Sequence, residues 1–198
     1  MVYPERLETS RLIMIKPDLT DETISKIYEA CSGEEGEHIN KNTAWDVHSN
    51  IYETEKLVKK IIDKWEKRES INYLIYERES KDFIGMGSLD THWNRSMGEL
   101  GCWLKRDYWG EGYGKERALA LIQLAFEELG LSYIRVRTDK DNKNSKKSIE
   151  SYLDEVGGEK KFTYREQINH KTRYTEFYIV TNINYDDSGG LDVLVGDY

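Results

Sequence analysis

The sequence predicts an α+β fold: a mixed, mostly antiparallel sheet of about seven strands flanked by about four helices. Three observations carry this. Alternating apolar runs recur three times between residues 71 and 104, joined by short polar turns, which is the pattern of antiparallel neighbours. A strand, a glycine-rich turn, a long amphipathic helix and another strand then follow over Glu99–Arg137, and such a connection makes its two strands locally parallel. The antiparallel strands ahead of this unit are wrong for a doubly wound nucleotide-binding sheet.

The elements follow in order. Arg11 to Ile15 reads as a first strand, closed by Lys16-Pro17-Asp18. Thr20 and Asp21 suit the cap of a helix through Ile24, Ile27 and Tyr28. Ser32 to Glu37 reads as a polar break, and His38 to Tyr52 as irregular. Leu57, Val58, Ile61, Ile62 and Trp65 form one stripe of a second helix. Ile71–Tyr76 and Phe83–Leu89 make a hairpin around Glu79–Asp82, and Asn94-Arg95-Ser96 turns into the strand Glu99–Leu104. After the glycines, Ala118 through Leu129 mark a helix that Gly130 stops. Tyr133–Arg137 is a strand. Ile149, Tyr152, Leu153 and Val156 stripe a last helix ending at Gly157-Gly158, and Tyr164–Asn169 with Tyr174–Thr181 form a closing hairpin.

At 198 residues the chain suits one domain, residues 1–181, with an acidic extension at 182–198 that reads as a tail or an extra strand pair. A net charge of −8 argues against a general nucleic-acid binder and fits a cationic acceptor. Cys31 and Cys102 are the only cysteines, and Cys102 falls within a strand that reads as buried. Two free thiols are expected, hence a reducing compartment and a cytoplasmic protein. The four histidines form no ligand pair, so no metal is expected. No apolar run reaches membrane-spanning length.

The most informative stretch is Trp109-Gly110-Glu111-Gly112-Tyr113-Gly114-Lys115, set between a strand and a helix. Three glycines clear side chains from the backbone, and the helix start supplies unpaired N–H groups and the positive end of its dipole, which together bind phosphate. A Walker loop fails on Trp109 and Glu116, and a Rossmann fingerprint fails on Lys115.

With Gly112 and Gly114 in place, the segment resembles the pyrophosphate loop of the GNAT superfamily of acyl-CoA-dependent N-acetyltransferases, although Trp109 stands where Gln or Arg is usual. That departure is common in the branch similar to ribosomal-protein-alanine acetyltransferases. Leu7–Ile15, Phe83–Leu89 and Gly98–Leu104 look like that branch's opening, third and fourth strands, and Asn142-Lys143-Asn144-Ser145 resembles its helix start. The resemblance spans roughly residues 6 to 181. It implies an acetyl-CoA-dependent enzyme that acetylates a primary amine, either a protein N-terminus or a small amine, by direct attack in a ternary complex. It also implies a sheet splayed between its fourth and fifth strands.

The implied roles are these. Gly110, Glu111, Gly112, Tyr113, Gly114 and Lys115 hold the pyrophosphate through their amides. Trp103, Leu104 and Lys105 pair with the pantetheine arm, and amides near Cys102 and Trp103 hold the thioester carbonyl. Glu99, on the same strand face as Gly101 and Trp103, is the candidate base, directly or through a water. Ser145 matches the position suggested to protonate the departing thiolate, or caps its helix, with Tyr152 as a substitute. Asn142 bonds the pantetheine or its own turn. Trp45, Asp46, His48 and Trp93 are candidates for the acceptor pocket. The expected partners are acetyl-CoA and an amine acceptor, without nucleic acid or membrane, in a monomer or homodimer. The alternative is a non-catalytic acyl-CoA-binding module.

Overall fold

The computed structural model describes residues 3–41, 45–91, 96–168, 171–183, 185 and 194–195. In chain order the elements are β1 (Arg6–Glu8), β2 (Leu12–Ile15), α1 (Asp21–Cys31), α2 (Gly33–Asn40), α3 (Ile51–Glu66), β3 (Ser70–Glu77), β4 (Phe83–Asp90), β5 (Met97–Leu104), α4 (Tyr113–Gln123), β6 (Tyr133–Asp139), α5 (Lys143–Leu153), β7 (Glu159–Ile168), β8 (Lys171–Thr181) and β9 (Leu194–Val195). All nine strands form one sheet in the order β7-β8-β6-β5-β4-β3-β2-β1-β9. Every neighbouring pair is antiparallel except β5–β6, the pair joined through α4.

Each face of the sheet has its own core. On one face, α4 and α5 bury Leu119, Ile122, Ile149 and Tyr152 against Leu12, Ile75, Leu100 and Val136. On the other, α1 and α3 bury Ile27, Val58 and Ile61 against Leu74, Phe83 and Met86. Thr54, Val58, Ile61 and Trp65 recur at helical spacing and are the buried stripe of α3. The helix ends use the expected caps: Thr20 Oγ1 accepts from the Thr23 N–H, and Asn142 Oδ1 from the Ser145 N–H.

Several elements differ from the sequence reading. The opening strand is two strands, because the link Thr9–Arg11 bends away and Thr9 Oγ1 accepts from the Leu12 N–H at 2.9 Å. The stretch expected to be a polar break is helix α2. Gly36 packs so closely that a Cβ there would stand 2.4 Å from the Cys31 carbonyl oxygen, and Ile39 is buried, so tertiary contact outweighs low helix propensity. Helix α5 stops at Leu153, short of Gly157, and β7 starts at Glu159 rather than Tyr164. The extension returns to the sheet, where Leu194–Val195 pairs with β1. His92, Trp93, Asn94 and Arg95 lie outside the described residues.

The feature that positions the site is an incomplete pairing. Strands β5 and β6 are bonded only from Met97–Tyr133 to Leu100–Val136. Beyond that point β5 stays with β4 as far as Leu104, while β6 stays with β8 as far as Asp139. The sheet therefore opens as a wedge between the strands counted fourth and fifth from the sequence. Cys102 was expected to be buried and is exposed, because β6 has left its side.

Candidate active site

The mouth of the wedge is the glycine turn. Gly110 and Gly112 have φ of 87° and 83°, left-handed values that glycine adopts without strain. Gly112 caps α4, and among the described residues no side chain takes its first-turn amides, so the N–H groups at the helix start are open to an outside acceptor. A Cβ at Gly110 would meet nothing within 4 Å, and one at Gly112 would meet only Arg11 Nη2 at 3.3 Å. At Gly114 it would stand 2.8 Å from Ser148 Oγ, so α5 closes the far side. Lys115 is tied to the turn after α5 by an ion pair with Glu155 at 2.6 Å.

The turn is pinned from behind by a buried carboxylate. Glu116 accepts from Thr9 Oγ1 at 2.5 Å, Ser10 Oγ at 3.1 Å, the Arg11 N–H at 2.9 Å and Arg11 Nε at 2.7 Å. Burial alone would raise its pKa, but these donors outweigh it and hold the carboxyl below its ordinary value. Arg11 then donates from Nη1 to the Glu111 carbonyl at 2.9 Å and lies over the Tyr113 ring. No motif singled out Arg11, Glu116 or Ser148, because the contacts that define them cross from the link before β2 and from α5 to α4 and its turn.

Along β5 the pleat decides which amides face the wedge. The Lys105 N–H donates to the Ile84 carbonyl at 2.8 Å, so Lys105, Trp103 and Gly101 direct their backbone groups at β4. Cys102 and Leu104 direct theirs into the wedge. The Leu104 carbonyl is already taken by Trp109 Nε1 at 2.7 Å, which leaves the N–H groups of Cys102 and Leu104. The Trp103 ring packs edge-on against Phe83 on the α1–α3 face.

Glu99 occupies the expected strand and face, and its carboxylate is engaged. Oε2 accepts from Arg135 Nε, while Oε1 accepts from Arg137 Nε and Nη2 at 2.8 and 2.7 Å. Arg137 also donates to the Tyr164 hydroxyl at 3.2 Å, and these partners raise its pKa against the effect of burial. Ser145 lies in the first turn of α5, half-buried, one turn ahead of Ile149 on the stripe that carries Tyr152. Asn142 is the cap of that helix. Tyr152 is 1% exposed; burial pushes its pKa up to about 12, against the pull of the Arg117 charge. Of the expected acceptor residues, His48 is packed away: its ring is bonded to Thr54 Oγ1 at 2.7 Å, and burial lowers its pKa. Trp45 lies against it, Asp46 is exposed, and Trp93 lies outside the described residues.

The arrangement is a strand edge that β6 leaves open past Leu100, entered past a bare helix start. The family description "Acetyltransferase (GNAT) domain" matches residues 11–152, most of the chain, and the chain belongs to that family of acetyltransferases. Solved structures share the fold. An acetyltransferase (GNAT family) from Bacillus anthracis superposes with a TM-score of 0.75 at 16% identity, over 90% of this chain and 99% of that one. The ribosomal L7/L12 alpha-N-protein acetyltransferase RimL, in complex with coenzyme A, gives 0.74 at 15% identity over 87% and 95%. The spermidine N-acetyltransferase from Vibrio cholerae, with CoA and spermine, gives 0.72 at 16% identity over 89% and 98%. Among the described residues no group of His, Cys, Asp or Glu is arranged to hold a metal, and no helix is long and apolar enough to cross a membrane.

Proposed function

We propose that this chain moves an acetyl group from acetyl-CoA to a primary amine by direct attack in a ternary complex, in the cytoplasm. The observation that carries this is the unpaired edge of β5 opening onto the bare turn Gly110–Lys115. The amides of that turn receive the pyrophosphate at the start of α4. The Cys102 and Leu104 N–H groups pair with the pantetheine arm and the thioester carbonyl, a reading supported by the backbone of Trp103 and Lys105 facing β4. Ser148 borders the phosphate seat beside Gly114.

An alkyl ammonium has a pKa of about 10 and must lose a proton before it attacks. Glu99 takes that proton through a water rather than directly, because both its oxygens already accept from arginine. The Tyr152 hydroxyl donates a hydrogen bond to the departing sulfur in preference to Ser145. The two lie about 10 Å apart along the helix axis at its rise per residue, and the electrostatic reach of Arg117 and Cys102 to the Tyr152 hydroxyl supports Tyr152. RimL acts on a protein N-terminus and the spermidine enzyme binds a polyamine, so both acceptor types belong in the assay.

The test is thiol release from acetyl-CoA in the presence of amines and N-terminal peptides. Turnover with at least one acceptor is expected, with Tyr152→Phe slowing it far more than Ser145→Ala. One observation favours the second reading, a non-catalytic acyl-CoA-binding module: the engagement of Glu99 by two arginines. Thermal stabilisation by CoA with no turnover for any acceptor is the result that would establish it.

A further inference from the structure

We propose that Arg117 is the seat for the negative charge that coenzyme A carries on its sulfur once the acyl group has left, so that the chain binds the thiolate in preference to the thiol. This rests on the acyl-CoA reading above and extends it to the fate of the sulfur.

Arg117 follows the glycine turn in α4 and is only 7% exposed. Its side chain crosses β4 and β5 on the face covered by α4. A Cβ at Gly87 would stand 2.7 Å from its Cδ and 3.1 Å from its Cγ, so glycine there clears its path. At the end of that path Nη1 meets the Gly101 carbonyl at 3.4 Å, and Nε is buried with no partner among the described residues. A guanidinium has five N–H donors, and this one makes a single long contact. The other two buried charges among the described residues are met: Glu116 by Thr9, Ser10 and Arg11, and Glu176 by Lys146, Lys160 and Tyr178. An unmet cation in the interior is costly unless an anion arrives.

Two neighbours show where that anion forms. The Tyr152 ring is buried on α5, its hydroxyl makes no hydrogen bond among the described residues, and the Arg117 charge reaches it. Cys102 on β5 lies within electrostatic reach of the same hydroxyl, and its N–H is the first on β5 past the end of pairing with β6. Tyr178 on β8 also faces Tyr152, but its own hydroxyl donates to Glu176 at 2.6 Å. A cation, a free phenol and a free amide therefore converge where the strands part. Acetyl itself brings no charge to this place. The reaction makes one: the amine nitrogen bonds to the carbonyl carbon, the carbon–sulfur bond breaks and its electron pair stays on sulfur. Sulfur remains a thiolate beside the guanidinium, accepts a hydrogen bond from the Tyr152 hydroxyl and is protonated from solvent once CoA leaves.

The experiment measures ionisation of bound CoA by the ultraviolet absorbance of its thiolate across pH. A Cys102→Ser background removes the protein thiol from the wedge, and the buried Cys31, pushed up to about 12, stays protonated over the range. The bound thiol should ionise at least about tenfold more readily than free CoA, the effect of an opposite charge close by. Arg117→Lys should retain most of this and Arg117→Met should remove it, while desulfo-CoA should bind both equally. Gly87→Ala, which crowds Arg117 without removing it, should also weaken the effect and serves if Arg117→Met does not fold. Equal ionisation in wild type and both the Arg117→Met and Gly87→Ala variants would overturn the proposal. So would a loss of affinity confined to acyl donors that end in a carboxylate, such as succinyl-CoA, since the seat would then belong to the acyl group. Failure of CoA to bind any form would instead sink the acyl-CoA reading.

Discussion

Gly112 has a φ of 83° and stands at the start of α4 beside Arg11 Nη2, so a side chain there is strained and also fills the anion seat. Gly112→Glu adds bulk and a negative charge, and CoA binding by calorimetry should disappear; an unchanged Kd would remove the loop from the site. Glu99 presents the opposite situation, a side chain already full of partners. Glu99→Gln should leave CoA affinity intact and slow turnover most at low pH, where free amine is scarce. Rates equal to wild type across the pH range would reduce Glu99 to a strut between Arg135 and Arg137. Three residues important to the geometry, Arg11, Ser148 and Arg117, carry no signature in the sequence. Each is an ordinary polar residue on a helix or turn, and only contacts from distant segments give it a place.

At the scale of elements, the start of α4 is held by what lies before β2. Glu116 is buried and joins Thr9, Ser10 and Arg11 to the helix, so the turn keeps its shape without a ligand. Glu116→Ala should cost about 2–3 kcal/mol in urea unfolding, toward the low end for a buried charged network because Arg11 is partly exposed. It should weaken CoA binding as well, since the amides lose their backing. A loss under about 0.5 kcal/mol, the range of ordinary surface changes, would show that α4 stands alone. The wedge is also a property of elements. β5 and β6 are parallel neighbours whose other partners, β4 and β8, keep them paired to the end, and this draws them apart after Leu100 and Val136. Helix α2 carries no signal in the sequence because two glycines lower its propensity and its polar run shows no apolar stripe, while its stability comes from packing against Cys31 and burial of Ile39.

For the whole molecule, acid should unfold the chain partly through Glu176. Two lysines and Tyr178 hold this buried carboxyl at about 2, against an ordinary 4.5. A folded pKa below the unfolded one gives stability that is complete above about 4.5 and is lost as pH falls toward 2. The contribution is up to about 3 kcal/mol, and Glu176→Gln should flatten the stability curve over that window in urea titrations at stepped pH. An unchanged slope would show that other carboxylates dominate. The sequence by itself determined the class of fold, the parallel unit around the glycine turn, and the order of landmarks that marks the family. Periodicity, turn residues and glycine spacing are local, and they can be read one segment at a time. Only the tertiary structure decided which amides of β5 face away from β4, that Glu99 is bound by two arginines, and that a buried guanidinium on α4 has no counter-ion among the described residues. Those depend on strand register and on side chains from elements far apart in the chain, which local patterns do not encode.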